Sequence, residues 1–125
     1  MTKKGDWSLD MSAGPIFEQI ARNVRRMLAR GALRPGEKLP SSRDLAGTLN
    51  VNPNTVVHAY GALEAMGIIE KRRGLGTFVR EDAPVVTMKQ EMLEEIAVRF
   101  AAEARGLGVG ADEAVAALRE AWDAR

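Results

Sequence analysis

Within VNPNTVVHAYGALEAMG, residues 51–67, two faces of one helix carry different chemistry. Val56, Tyr60 and Leu63 recur at helical spacing and form a face to bury. The opposite face holds Asn54, His58, Gly61 and Ala65, flanked by Thr55 and Val57, where a surface helix ordinarily carries lysine and glutamate. Amides, a hydroxyl and an imidazole are groups that hydrogen-bond base edges. Asparagine can pair with adenine through two bonds at once, threonine and histidine add donors and acceptors, and Val57 suits a thymine methyl. Gly61 and Ala65 leave room for a backbone to pass. The turn before this helix has a second chemistry. Helix N-termini present unpaired N–H groups to phosphate, which suits Asn52 and Pro53 here and Ser41 and Ser42 one helix earlier. Asn52 reads first as a helix cap, and Tyr60 reads as core.

Catalysis finds no such support. No Ser/His/Asp set or carboxylate pair is identifiable, and His58 is the single histidine. It has no second histidine or acid at metal spacing, so no metal or other cofactor is expected. Gly74-Leu75-Gly76 superficially suggests a nucleotide loop. Such a loop must open a helix, whereas Gly76 leads into Thr77-Phe78-Val79, a strand pattern. Cysteine is absent from the 125 residues, which excludes disulfides and thiolate sites and fits a reducing cytosol. No apolar run of about 18 residues exists to span a membrane. Met1-Thr2-Lys3-Lys4 is not followed by the apolar stretch of a secretory leader. The expectation is a cytoplasmic protein that is not an enzyme. A formal net charge of +1 hides an asymmetry: residues 1–82 sum to +4 and residues 83–125 to −3. A basic front and an acidic back suggest two jobs.

The elements that position these groups follow from local signals. Gly14-Pro15 opens a first helix, since proline loses nothing in a first turn. Ile16, Phe17, Ile20, Val24, Met27 and Leu28 form its apolar stripe, with Arg22, Arg25, Arg26 and Arg30 on the polar side. Gly31 weakens its end, and Arg34-Pro35-Gly36 makes a turn. Ser41 caps a second helix, with Asp44 at capping-box spacing and Leu45, Ala46 and Leu49 to bury. Asn50 to Pro53 is a tight link. The third helix ends near Met66, where Gly67 can take the left-handed conformation. Ile68-Ile69 and Phe78-Val79 then flank Arg73-Gly74-Leu75-Gly76 as a hairpin. Ahead of the first helix, Trp7 to Asp10 is a candidate extended segment.

Three helices and a hairpin in this order make a winged helix-turn-helix, a mainly α fold with a small β-hairpin. Its recognition helix, residues 53–66, enters the major groove by its first turn. Lys71, Arg72 and Arg73 then sit on a wing, residues 68–80, that touches the DNA backbone or minor groove.

At this point the sequence resembles a known family. PIFEQIARNVRRMLARGALRPGEKLPSSRDLAGTLNVNPNTVVHAYGALEAMGIIEKRRGLGTFV, residues 15–79, is similar to the DNA-binding domain of GntR-family bacterial transcription regulators. The combination of LRPGEKLPSSRDLA, VNPNTV and RRGLGTFV carries the likeness. The short helical tail resembles the YtrA subfamily, which lacks a large effector domain. The resemblance implies DNA contacts from Arg43, from Pro53 to Val57, and from Arg73 and Gly74 at the wing tip. Many relatives have a basic residue after NTV, where this chain has Val57 and His58. The family commonly has PIYEQI, so Phe17 replaces a tyrosine. The full set of candidate DNA-binding residues is Ser41, Ser42, Arg43, Asn52, Pro53, Asn54, Thr55, Val57, His58, Arg72, Arg73, Gly74, Gly76 and Thr77.

Glu81-Asp82-Ala83-Pro84 reads as a linker to a tail, residues 83–125. There Met88, Met92, Ile96, Phe100 and Ala104 run down one helical face. After Gly106, Gly108 and Gly110, a second stripe of Ala111, Val115, Leu118 and Trp122 follows. This two-helix tail is expected to dimerise, chiefly through Met88, Met92, Ile96, Phe100, Leu118 and Trp122. The expected function is a sequence-specific, homodimeric regulator, a repressor of a roughly palindromic double-stranded operator. Two alternatives remain at this stage. One is a winged-helix protein–protein module. The other is a sensor that takes a small-molecule effector at the tail.

Overall fold

Eight elements form in a computed structural model of the chain, described over residues 7–124. In order they are α1 (Ile16–Ala29), β1 (Lys38–Leu39), α2 (Ser42–Leu49), α3 (Pro53–Ala65), β2 (Ile69–Arg72), β3 (Gly76–Val79), α4 (Val85–Gly106) and α5 (Ala111–Ala124). They fall into two compact units that meet within α4, one through Lys89 and one from Gln90.

The core of the first unit is built around α3, which packs against α1, α2 and β2. Val56, Ala59, Tyr60 and Leu63 bury one face of it, as their spacing requires. They meet Ile20, Val24, Met27 and Leu28 from α1, and Leu45 and Ala46 from α2. Ile68, Ile69 and Val79 complete the core around the hairpin. Each large apolar side chain removed from water contributes about 1.5–3 kcal/mol. Leu49 is only half-buried.

The wing is a sheet of three strands, ordered β1-β3-β2, rather than the two-stranded hairpin expected. Both pairings are antiparallel. Lys38 and Leu39 lie opposite Phe78 and Thr77, and Ile69 to Arg72 run opposite Val79 to Gly76. The Arg34-Pro35-Gly36 turn brings β1 back along β3: Gly36 N–H donates to the Val79 carbonyl and Val79 N–H to the Glu37 carbonyl. The outer edge of β3 is thereby paired instead of open.

Residues 7–10 are not a strand. Two buried amides on α1, Gln19 and Asn23, hold this segment instead. Asp10 N–H donates to Gln19 Oε1 at 2.7 Å, and Gln19 Nε2 donates to the Asp10 carbonyl at 2.7 Å and to that of Gly14 at 3.0 Å. Asn23 Nδ2 donates to the Ser8 carbonyl at 2.9 Å. Each amide is thus satisfied where an unpaired one would cost free energy. Trp7 is buried at the start of the segment.

The second unit is different. No residue of α5 is buried, and α4 buries only Met88, which belongs to the first unit. Large apolar side chains therefore stay in water: Ile96 is 51% exposed and Trp122 73%.

Tyr60 supplies a stability prediction. Its hydroxyl donates to the Pro40 carbonyl at 2.7 Å, and burial raises its pKa above the ordinary value near 10. As pH rises past about 10, the unfolded chain gives up this proton while the folded chain keeps it, so stability falls. Tyr60 is the single tyrosine. Tyrosinate absorbance should therefore appear only as helical circular dichroism is lost, and ionisation at the ordinary pH with the helix intact would contradict this. Tyr60→Phe should cost about 0.5–1.5 kcal/mol in urea denaturation.

Candidate nucleic-acid interface

Ser41 and Asn52 set the two helix starts. Ser41 Oγ accepts from Asp44 N–H at 3.0 Å, and Asn52 Oδ1 accepts from Asn54 N–H at 2.8 Å. Both caps match the sequence expectation. Between them Asn50 turns the chain with a left-handed backbone, φ 58°, and Val51 N–H returns to the Ala46 carbonyl. The link is short enough that α2 and α3 pack directly on each other.

The capping geometry divides labour between two asparagines. Asn52 spends its carbonyl oxygen on the helix start. Asn54 keeps its whole side chain at the exposed surface. Pro53 and Val57 are exposed beside it, Val57 to 47%, while Thr55 is half-buried. On α2, Ser41 and Arg43 are exposed and Ser42 half-buried. Two helix starts therefore present polar groups together with their first-turn N–H groups.

His58 lies one helical turn beyond Asn54, exposed but not alone. Its ring stacks on that of Phe17 from α1, with centroids 3.8 Å apart and planes 9° from parallel. Phe17 read in the sequence as part of an apolar stripe and as the replacement of a family tyrosine. A stack between helices leaves no trace in local periodicity.

Arg72 and Arg73 differ in the same way. Arg72 Nε and Nη2 both donate to Glu70 Oε2, at 3.1 and 2.9 Å, and its guanidinium carbon lies 4.3 Å from the Phe78 ring centroid. Arg72 is therefore engaged inside the wing and its charge is locally matched. Arg73 is exposed at the turn. Gly74 there adopts φ +76°, a left-handed conformation that favours glycine. Gly76 has φ +121°, and a Cβ on it would sit 2.8 Å from Lys38 Cε. Lys38 thus passes over Gly76 near the tip of the wing, exposed, as a further cation beside Lys71 and Arg73. The sequence reading missed it, because a two-residue strand is too short to show alternation. Thr77 is half-buried between its neighbours Leu39 and Lys71.

In the second unit Ile96, Phe100, Leu118 and Trp122 are exposed and Met92 half-buried. Met88 is 5% exposed within the single chain, so its burial needs no partner. Phe100, Ala104 and Val115 line a largely apolar groove of about 440 Å³ between the end of α4 and the start of α5.

Comparison with known proteins places this arrangement. A family model described as "Bacterial regulatory proteins, gntR family" matches residues 16–79. The chain is 38% identical over 109 residues to the HTH-type transcriptional regulator YhcF of Bacillus subtilis, covering 86% of this chain and 90% of that protein. It is 42% identical over 93 residues to the HTH-type transcriptional repressor YtrA of the same organism, covering 70% and 72%. Among solved structures, a GntR family transcriptional regulator from Listeria monocytogenes superposes with a TM-score of 0.82 at 29% identity, over 90% of this chain and 98% of that one.

The two wing arginines should respond differently to removal. Arg72→Ala forfeits a partly exposed ion pair and a cation–π contact, so it should lower stability by about 1 kcal/mol. Arg73→Ala should leave the urea midpoint unchanged. Equal midpoints for both variants would show that the Arg72 contacts carry no weight.

Proposed function

Because the chain belongs to the gntR family of bacterial regulatory proteins, and is a DNA-binding transcriptional regulator, we propose that it works as a homodimeric repressor of a roughly palindromic operator. The observation that carries this reading is the division between Asn52 and Asn54. One amide is consumed in capping, which fixes the first turn of α3. The other is left exposed on that turn, beside Pro53 and Val57. A helix start so fixed can enter the major groove with its polar groups aimed at base edges. Asn54 is the proposed base reader. Arg43, at the start of α2, reaches base or phosphate. Ser41, Ser42 and the turn at Asn52 meet phosphate through backbone N–H groups. Arg73, Lys71 and Lys38 hold the backbone at the wing, and Gly74 and Gly76 give the wing its shape.

The repressor reading rests on the relative named as a transcriptional repressor. The dimer reading rests on the second unit, whose apolar stripes the single chain leaves in large part exposed, Ile96 to 51% and Trp122 to 73%. Ile96, Phe100, Leu118 and Trp122 would be buried by a second tail about a two-fold axis, with Phe100 bordering the apolar groove. The two heads of such a dimer would suit half-sites about 34–36 Å apart, one turn of DNA, or a related spacing. No helix among the described residues is long and apolar enough to cross a membrane.

Two experiments test this. Selection from a random duplex library should yield a two-fold symmetric consensus, with log affinity falling against log salt at about −0.9 per neutralised phosphate. Asn54→Ala should relax preference at one base pair per half-site and cost roughly 1–3 kcal/mol on the best site. Arg73→Ala should instead weaken all sequences alike and flatten the salt slope. An unchanged consensus for the Asn54 variant would remove it as a reader. In sedimentation equilibrium, Phe100→Asp should shift the intact dimer to monomer, because the seam would bury an unpaired charge. A variant that stays dimeric would move the seam away from the tail.

A further inference from the structure

The Phe17–His58 stack joins a residue outside the recognition helix to one on its exposed face. His58 lies four positions after Asn54, so the two side chains share one side of α3. The imidazole is exposed, and among the described residues no protein group hydrogen-bonds either ring nitrogen. Stacking uses the face of a ring and leaves its edge open. With planes 9° from parallel at 3.8 Å, the Phe17 ring covers one imidazole face, while both nitrogens stay at the perimeter. An exposed histidine without such a neighbour would exchange between rotamers and lose that freedom on binding. Here the orientation is already chosen, and the entropic cost of ordering the ring is reduced.

From this geometry we infer that Phe17 is a positioning residue. It holds the His58 imidazole so that a ring nitrogen reads a base edge next to the base pair read by Asn54. The inference rests on the proposed reading of α3 as the groove-entering helix and extends it to α1, which carries no base contact itself. Where many relatives carry a basic residue, which can only donate, this chain presents a ring that can donate or accept at a base edge from a fixed orientation.

The test uses the full chain and duplex selection, followed by affinity measurement on the resulting consensus. His58→Ala should lose preference at one base pair per half-site, by roughly three- to tenfold, the worth of one hydrogen bond. Phe17→Leu keeps apolar volume but removes the flat face. It should relax the same base pair and leave that of Asn54 intact. Phe17→Tyr keeps the face and should restore the wild-type consensus. The double variant should be no worse than His58→Ala alone, since the two residues act as one unit. Melting temperatures of all variants separate misfolding from misreading. If the Phe17→Leu consensus matches wild type, or if both variants lose affinity evenly at every base pair, the inference is overturned while the reading of α3 stands. If wild-type protein yields no consensus, both fall together.

Discussion

A buried phenol must find an acceptor, and in this fold that requirement organises the head. Tyr60 lies almost wholly inside, and its hydroxyl reaches the Pro40 carbonyl, twenty residues earlier in the chain. Pro40 immediately precedes Ser41, the cap of α2. One hydrogen bond therefore ties the middle of α3 to the entrance of α2, and it does so from within the core. That link joins the packing of α3 on α1, α2 and β2 in fixing how the helix is turned about its axis. Its outward face is set by the packing behind it.

The outward face then works through economy of polar groups. The starts of α2 and α3 each devote one side chain to one of their own orphan N–H groups and leave Arg43 and Asn54 exposed. On the wing the same division falls between adjacent arginines. Arg72 lies between Glu70 and Phe78 within the hairpin, and Arg73 is exposed at its turn. The electrostatic asymmetry of the chain follows this plan, with the positive excess in the first 82 residues and the negative excess in the tail. Net charge near zero thus coexists with a basic head suited to a polyanion.

How much of this is legible in the sequence depends on the range of the interaction. Helices α1 to α3, the Ser41 and Asn52 caps, the Gly67 turn and the β2-β3 hairpin follow from spacing and from residues within four positions of one another. So do the buried faces, with Ile16, Phe17 and Leu49, all half-buried, the exceptions. What is not legible is set by distant partners. β1 exists because Gly36 and Glu37 reach Val79. The 7–10 segment is ordered by amides nine and fifteen residues away, with no strand periodicity of its own. Arg72 read with Lys71 and Arg73 as one basic run; strand alternation puts Glu70 on its face, but Phe78 reaches it only across the hairpin. Gln19 and Asn23 carry no local signal; they are buried for hydrogen bonds to main chain up to fifteen residues away.

Those two amides have a consequence for how the N-terminal segment can vary. Gln19 and Asn23 grip only main-chain atoms, the N–H and carbonyl of Asp10 and the carbonyls of Gly14 and Ser8. Every residue type supplies a carbonyl, and every type but proline supplies the N–H. The path of Ser8 to Asp10 is therefore held largely from α1, while side chains of the segment anchor its two ends: Trp7 is buried, and Asp10 Oδ1 accepts from Ser12 N–H and Oγ–H. Ser8 can drift in identity with little effect on the path. A change at Gln19 or Asn23 would release the main chain between those two anchors.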